Sequence, residues 1–151
     1  MKYLFIFLLM VSCTPLEIIT GTVVQVTDGD TFTLLTTENK QEQIRLADID
    51  APEKGQDFSG TSRLYLGELL AGKTIQVEYK SKDQSGHILG TVFVDGKNIN
   101  EEMVKEGLAW EFHTNKKARI KELQLEAQRR KLNIFSLPNP INPYDYRQGK
   151  R

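Results

Sequence analysis

A chain of 151 residues, 39% hydrophobic and 26% charged, has the length and composition of one globular domain. Its formal net charge of zero excludes a global basic field that would by itself indicate a nucleic-acid partner, and its single cysteine excludes an intrachain disulfide. The charge is uneven, because residues 116–151 hold ten of the 20 Lys and Arg beside three acidic residues. This basic region is compatible with polyanion binding near a metal site, or with a solvated helix face and a loose terminus.

The N-terminal residues 1–12 are predicted to be a lipoprotein-type signal peptide that is not part of the fold. Their apolar run, residues 3–11, is shorter than the roughly 20 residues that cross a bilayer. Together with Cys13 it resembles a bacterial lipoprotein signal, in which the first mature cysteine receives a diacylglycerol, although Met10 stands where leucine is preferred. We therefore expect a lipid anchor on Cys13 and a mature domain outside the cytoplasm, on the cell envelope. The alternatives are an ordinary secretory peptide or a buried N-terminal strand.

After a linker at residues 13–17, turn residues divide the chain into short periodic segments. Strands are predicted at residues 18–27, 31–37, 42–49, 73–79 and 87–94, and helices at 59–70, 100–106 and 116–131. Five strands with a helix between the third and fourth are the order expected of an OB-fold. The predicted fold class is thus α+β, a five-stranded Greek-key β-barrel with three helices spanning residues 18–136. The basic tail, residues 137–151, is rich in Pro and Tyr and is expected to be extended and mobile.

Two acidic clusters lie about twenty residues apart and could meet at one rim of this barrel. They are Asp28 and Asp30 in a predicted hairpin turn, and Asp48, Asp50 and Glu53 at the end of the third strand. Gathered carboxylate oxygens suit Ca²⁺ or Mg²⁺, although Asp-Gly by itself is simply good turn chemistry. Arg45 lies between the clusters, and is either solvated or well placed to bind a phosphate beside a metal.

Five segments resemble the staphylococcal-nuclease-like (thermonuclease) family in their order and spacing. They are VTDGDTF, IRLADIDAPE, DQSGH, VDGKNINEEMVKEGLAW and EAQRRKLNIFS, within residues 23–136. The resemblance implies an OB-fold and a Ca²⁺-dependent phosphodiesterase with one ion, acting on DNA and RNA. It assigns Asp30 and Asp50 as carboxylate ligands of the metal and Ala51 as a ligand through its backbone carbonyl. It assigns Glu53 to order or deprotonate the attacking water, and Arg45 to neutralise the phosphate.

His87 departs from the family pattern, which has a second phosphate-binding arginine after D-x-x-G. Arginine is always charged and bidentate, whereas histidine is mostly neutral at neutral pH, so the loss could cost up to roughly 10³–10⁵ in rate. A nearby phosphate would favour the imidazolium form, which could protonate a departing alkoxide. The other interpretation of His87 is an exposed residue without a role.

The sequence therefore predicts a lipid-anchored, monomeric nuclease-like enzyme, with activity that is reduced or shifted in pH. Two other classes of protein stay open: a non-catalytic OB module that binds nucleic acid or another polyanion at the cell surface, and a structural envelope lipoprotein. A water-activating glutamate beside two metal ligands favours the enzyme, because a pure binder has no need of one. The histidine at position 87 favours the binding module.

Overall fold

The computed structural model describes residues 14–150. The predicted signal peptide and the predicted lipid-attachment residue Cys13 lie outside the described residues, as does Arg151. Within residues 14–150, none of the helices has the length and apolar character that crossing a bilayer requires.

Most of the described chain is organised around β-strands, with helices packed against them. The strands are β1 (Glu17–Val26), β2 (Thr31–Thr36), β3 (Gln41–Leu46), β4 (Ile49–Asp50), β5 (Ile75–Lys82), β6 (Ile88–Val94), β7 (Lys97–Asn98) and β8 (Trp110–Glu111). The helices are α1 (Ser59–Leu70), α2 (Ile99–Lys105), α3 (Ala118–Arg129) and α4 (Pro143–Arg147), with a 3-10 turn at Asn133–Ser136.

Five strands close into a barrel. Their order is β3-β2-β1-β5-β6 with antiparallel neighbours, and β3 then pairs in parallel with β6, Ile44 lying opposite Ile88. Closure leaves no unpaired long edge in this sheet, which removes a common site of aggregation. The predicted α+β OB-fold is confirmed, including the helix between the third and fourth barrel strands.

The barrel interior is filled by apolar side chains that alternate along the strands. Fully buried residues of the barrel and of α1 are Phe32, Leu34, Ile44, Leu46, Ile75, Val77, Val92, Leu66 and Leu70. Full burial of one such side chain contributes about 1.5–3 kcal/mol to folding. This packing fixes the ends of β1, β2 and β3, where the acidic residues lie.

Gly29 allows the turn between β1 and β2 to pack directly on α1. A Cβ atom at this position would lie 1.9 Å from Ser62 Oγ, which is far inside van der Waals contact. The Ser62 hydroxyl in turn donates a hydrogen bond to the Leu108 carbonyl at 2.7 Å. The turn that carries Asp28 and Asp30 is therefore held against two other elements.

Asn100, on α2, joins β6 to the turn between β3 and β4. Its buried side-chain amide donates to the carbonyls of Ala47 and Gly90 at 2.9 and 3.0 Å, and its Oδ1 accepts from the Val92 N–H at 2.9 Å. Both amide protons of the side chain are thereby used. One residue of a helix thus positions the turn that leads into the second acidic cluster.

Residues 137–150, here called the C-terminal arm, contain a short helix. The Asn142 side chain accepts from the Tyr144 N–H at 2.9 Å, and Pro143 occupies the first helical turn. A capping asparagine followed by proline is a common helix start. The expectation of an extended tail is therefore wrong for Pro143–Arg147.

Candidate active site

The two acidic segments predicted from the sequence meet in the structure. Asp30 Oδ2 accepts a hydrogen bond from the Ala51 N–H at 2.8 Å, and the Asp30 carbonyl accepts from the Leu46 N–H at 2.8 Å. Asp28 Oδ1 accepts from the Asp30 N–H at 3.0 Å, which holds the turn. Asp30 and Asp50 are only 5% and 1% exposed. Both carboxylates are thus buried, and the Asp30 carboxylate is held in place by a main-chain hydrogen bond.

For the Asp30 carboxyl, the effect of burial outweighs that of the nearby Arg45 guanidinium. Burial is the largest influence on its pKa, and with repulsion from Asp28 it raises the pKa to about 7, against the lowering effects of Arg45 and the Ala51 N–H. A buried carboxyl of this kind is stabilised as an anion by a cation placed beside it. The Asp30 environment therefore fits a cation-binding site.

The donor atoms suit a hard divalent cation. Asp30 and Asp50 offer carboxylate oxygens, which are the ligands that Ca²⁺ prefers. Within residues 14–150, no group of three or more Asp, Glu, His or Cys side chains is arranged to hold a metal ion alone. Asp48 pairs instead with Lys117. Because Ca²⁺ takes roughly six to eight oxygens, the remainder would come from the Ala51 carbonyl, water or a substrate phosphate.

Arg45 lies beside both carboxylates. Its Nη2 is 3.4 Å from Asp50 Oδ1 and 3.8 Å from Asp30 Oδ2. Its neighbours on β3, Ile44 and Leu46, are fully buried, so strand alternation directs Arg45 to the other face. The structure thus places Arg45 next to one carboxylate of each acidic cluster, and Asp30, Arg45 and Asp50 are called the rim cluster below.

Arg147, on α4, binds the same carboxylate and was missed by the sequence analysis. Its two terminal nitrogens donate to both oxygens of Asp50, at 3.0 and 2.7 Å, and Nη1 also donates to Glu53 Oε1 at 2.5 Å. Hydrogen bonds to Asp50 raise the pKa of the Arg147 guanidinium above its ordinary value. The excess of basic residues in the tail was visible in the sequence, but nothing there connected position 147 to the rim cluster.

Glu53 lies in the loop after β4, with its side chain 38% exposed. Its N–H donates to Gln56 Oε1 at 2.8 Å, which holds the loop. The glutamate opens onto a cleft of about 460 Å³. The cleft is lined by Arg45, Leu46, Asp48, Ile49, Glu53, Asp83, Gln84, Ser85, Leu89, Phe112, Thr114 and Arg147.

His87 is not among the residues that line this cleft. Its Nδ1 lies 3.2 Å from Asp83 Oδ2, and its N–H donates to Asp83 Oδ1 at 2.9 Å. Asp83 also accepts from the Ser85 N–H at 2.9 Å. The imidazole is thus associated with the turn between β5 and β6, while the rim cluster and Glu53 are brought together without it.

Two contacts hold the C-terminal arm next to the cleft independently of Arg147. The Tyr144 ring stacks on His113 with 4.2 Å between ring centroids and 26° between planes. Gln56 Nε2 donates to the Ile141 carbonyl at 3.1 Å. The His113 side chain is exposed, and its ring is the surface on which the arm packs.

Known relatives of the chain carry nuclease names. It is 40% identical over 149 residues to an "Uncharacterized endonuclease" of Escherichia coli, covering 97% of this chain and 95% of that protein. It is 38% identical over 149 residues to a second "Uncharacterized endonuclease", from Haemophilus influenzae, covering 98% and 83%. It is 38% identical over 144 residues to a "Micrococcal nuclease" of Shigella flexneri, covering 87% and 82%.

The sequence also matches a protein family directly. Residues 43–137 match the family described as "Staphylococcal nuclease homologue". This segment includes Arg45, Asp50, Glu53 and His87, and it ends before α4. With its closed barrel and this family match, the chain belongs to the staphylococcal nuclease homologue family.

Proposed function

We propose that the protein is a Ca²⁺-dependent nuclease that hydrolyses phosphodiester bonds of DNA or RNA with water as the nucleophile. One observation carries this proposal: Arg45 and Glu53 line a single cleft, and Arg45 Nη2 lies 3.8 and 3.4 Å from the buried carboxylates of Asp30 and Asp50. Two buried carboxylates favour a cation, an arginine favours an anionic substrate, and a partly exposed glutamate has access to water. The nuclease names of the relatives support the same reaction class.

Each residue has a role that follows from its chemistry. Asp30 and Asp50, with the Ala51 carbonyl, would hold one Ca²⁺, which when bound supplies Lewis-acid neutralisation of the phosphate. Glu53 accepts the proton of the attacking water, a contribution of about 10²–10⁴ in rate. Arg45 donates to phosphate oxygens on which negative charge grows during the attack.

With histidine at position 87, the barrel would supply a single arginine, Arg45, to bind the phosphate. Loss of a phosphoryl-transfer arginine costs up to roughly 10³–10⁵ in rate, so activity would be attenuated unless another residue supplies a guanidinium. A role of His87 as proton donor to the leaving alkoxide would require its ring to exchange Asp83 for the substrate.

We further infer that the enzyme works as a monomer outside the cytoplasm, attached to the cell envelope by a lipid on Cys13. The apolar run that ends shortly before Cys13 supports this location. The Cys13→Ser variant should leave the membrane fraction and lose incorporation of a labelled fatty acid. Equal labelling of the variant and the natural protein would contradict the assignment.

The activity is tested with the purified full chain in detergent and with labelled single-stranded DNA and RNA, in Ca²⁺ or in chelator. Cleavage that needs Ca²⁺ and falls about 10²–10⁴-fold in Glu53→Gln supports the proposal. Cleavage that is equal in chelator, or equal in Glu53→Gln, would reject the mechanism.

A second candidate function is a non-catalytic module that binds nucleic acid or another polyanion. The observation that favours it is Arg147, which takes both oxygens of Asp50 and contacts Glu53. Retention of the labelled strands without any cleavage, in Ca²⁺ as in chelator, would select this function over the enzyme.

A further inference from the structure

The barrel supplies one arginine to the cleft, and the C-terminal arm supplies another. We propose that Arg147 is the second phosphate-binding arginine of the site, taking the role that His87 does not fill. The inference rests on the proposed nuclease function and names a residue outside the segment that matches the family.

The geometry places the two guanidinium groups together. Arg45 Nη2 and Arg147 Nη1 contact the same oxygen, Asp50 Oδ1, at 3.4 and 3.0 Å. Both side chains line the cleft that Glu53 also lines. Two guanidinium groups that contact one carboxylate oxygen are close enough to donate to one phosphate, and each can match two phosphate oxygens at a time.

The present partners of Arg147 distinguish it from an ordinary surface ion pair. A surface pair contributes about 0–1 kcal/mol and has no consequence for a site. Asp50, in contrast, is almost fully buried, and Glu53 is the residue assigned to the attacking water. Arg147 therefore competes with any cation for Asp50, and an incoming phosphate offers it an alternative anionic partner.

The arm can keep its place while Arg147 changes partners. Tyr144 on His113 and Gln56 on the Ile141 carbonyl hold the arm through contacts that do not involve the guanidinium. A long arginine side chain on a docked helix can then move between a carboxylate and a phosphate by rotation of its own bonds.

The first test is the kcat/KM of the detergent-solubilised full chain on single-stranded DNA in Ca²⁺. Arg147→Gln should lower it by at least about 10²-fold, and Arg147→Lys by less, since lysine keeps the charge and loses the fork. Lys150→Gln is the matched control, because it removes the same charge from the same arm, where the ammonium pairs with Asp145. It should stay within twofold.

A rescue variant tests the stated role. If Arg147 takes the role of the arginine missing at position 87, adding His87→Arg to Arg147→Gln should raise kcat/KM at least about tenfold. This gain corresponds to roughly 1.4 kcal/mol of transition-state binding. Restoration would support a shared phosphate-binding role, which a merely structural residue would not show.

Two measurements without turnover complete the test. Calorimetric titration with Ca²⁺ alone should show several-fold tighter binding in Arg147→Gln than in the natural chain, because a competing cation is removed from Asp50. Titration with thymidine 5′-monophosphate in Ca²⁺, a monoester that a diesterase does not cleave, should show at least fivefold weaker binding. Thermal unfolding of each variant shows whether it folds. If Arg147→Gln does not fold, the same titrations are made with Arg147→Lys.

The outcomes separate this inference from the proposed function. If the natural chain cleaves DNA and Arg147→Gln cleaves it equally well, the role of Arg147 is overturned while the nuclease function stands. If the natural chain does not cleave, the nuclease function fails, and unchanged monophosphate binding in Arg147→Gln would then overturn the phosphate contact as well.

Discussion

The rim cluster and the C-terminal arm contribute opposite kinds of structure to one cleft. The two carboxylates of the rim cluster are buried, Asp30 is held by a main-chain hydrogen bond, and the cluster is carried by barrel strands and their turns. The arm contains a five-residue helix near the surface and is held by a ring stack, by a hydrogen bond from Gln56, and by the hydrogen bonds of Arg147. A closed barrel can therefore hold the carboxylates of a site while a segment outside the barrel supplies a guanidinium to the same cleft.

From this comparison we expect substitutions in the rim cluster to lower kcat/KM strongly, and substitutions in the arm other than at Arg147 to lower it only slightly. Arg45→Gln should have the largest effect, a loss of about 10³–10⁵ in kcat/KM, since it removes the arginine that the barrel itself supplies. Steady-state cleavage of single-stranded DNA measures it, with Arg130→Gln at the exposed end of α3 as the control. A loss below tenfold would show that the rim cluster does not bind the phosphate.

Asn100→Ala should destabilise the support of the rim cluster. The substitution removes the hydrogen bonds of Asn100 to the Val92 N–H and to the carbonyls of Ala47 and Gly90, although Gly90 keeps the Ala47 N–H as a donor. The expected decrease in the free energy of unfolding is on the order of 3 kcal/mol. Urea unfolding measures it. The matched control is Asn98→Ala, which removes only a helix cap and should cost about 1 kcal/mol. Equal losses in the two variants would contradict the role given to Asn100.

Calcium should stabilise the fold through its proposed ligands and not through the C-terminal arm. At about 100 times its dissociation constant, Ca²⁺ is expected to raise the free energy of unfolding by about 2.7 kcal/mol. Thermal unfolding with Ca²⁺ or chelator measures this gain. Asp50→Asn should abolish the gain, and Tyr144→Ala should keep it. Retention of the full gain in Asp50→Asn would remove Asp50 from the proposed ligands.

Tyr144→Ala should have the smallest effect. Its stack on His113 is worth about 0.5–1.5 kcal/mol, so its loss should lower kcat/KM by no more than about tenfold through weaker docking of the arm. Global stability should hardly change, because the arm lies outside the barrel core. A large decrease in the unfolding temperature would show that the arm is part of the core.

The rim cluster could be predicted from sequence because its residues belong to short contiguous motifs. Asp30 lies in a turn of good hairpin chemistry, and Arg45 follows strand alternation, so local rules place both. The catalytic and metal-binding roles of these residues stay predictions, since the geometry brings the side chains together without testing what they do.

The arm could not be predicted in the same way. A five-residue helix has no hydrophobic periodicity, and its stability comes from tertiary contacts rather than propensity. The partners of Tyr144 and Arg147 are remote in sequence, at His113 and Asp50. The orientation of His87 toward Asp83 is equally invisible, because a motif gives a position and not a side-chain rotamer.

The cleft can form only after β3 has paired in parallel with β6. Ile44 and Ile88 are far apart along the chain, and closing so long a loop is a slow step in folding. Asn100 can brace the acidic turn only once β6 is in place. A chain in which β6 has not yet paired with β3 can therefore contain the acidic residues of the site without the Asn100 contacts that position them, and cleavage should begin only when the barrel has closed.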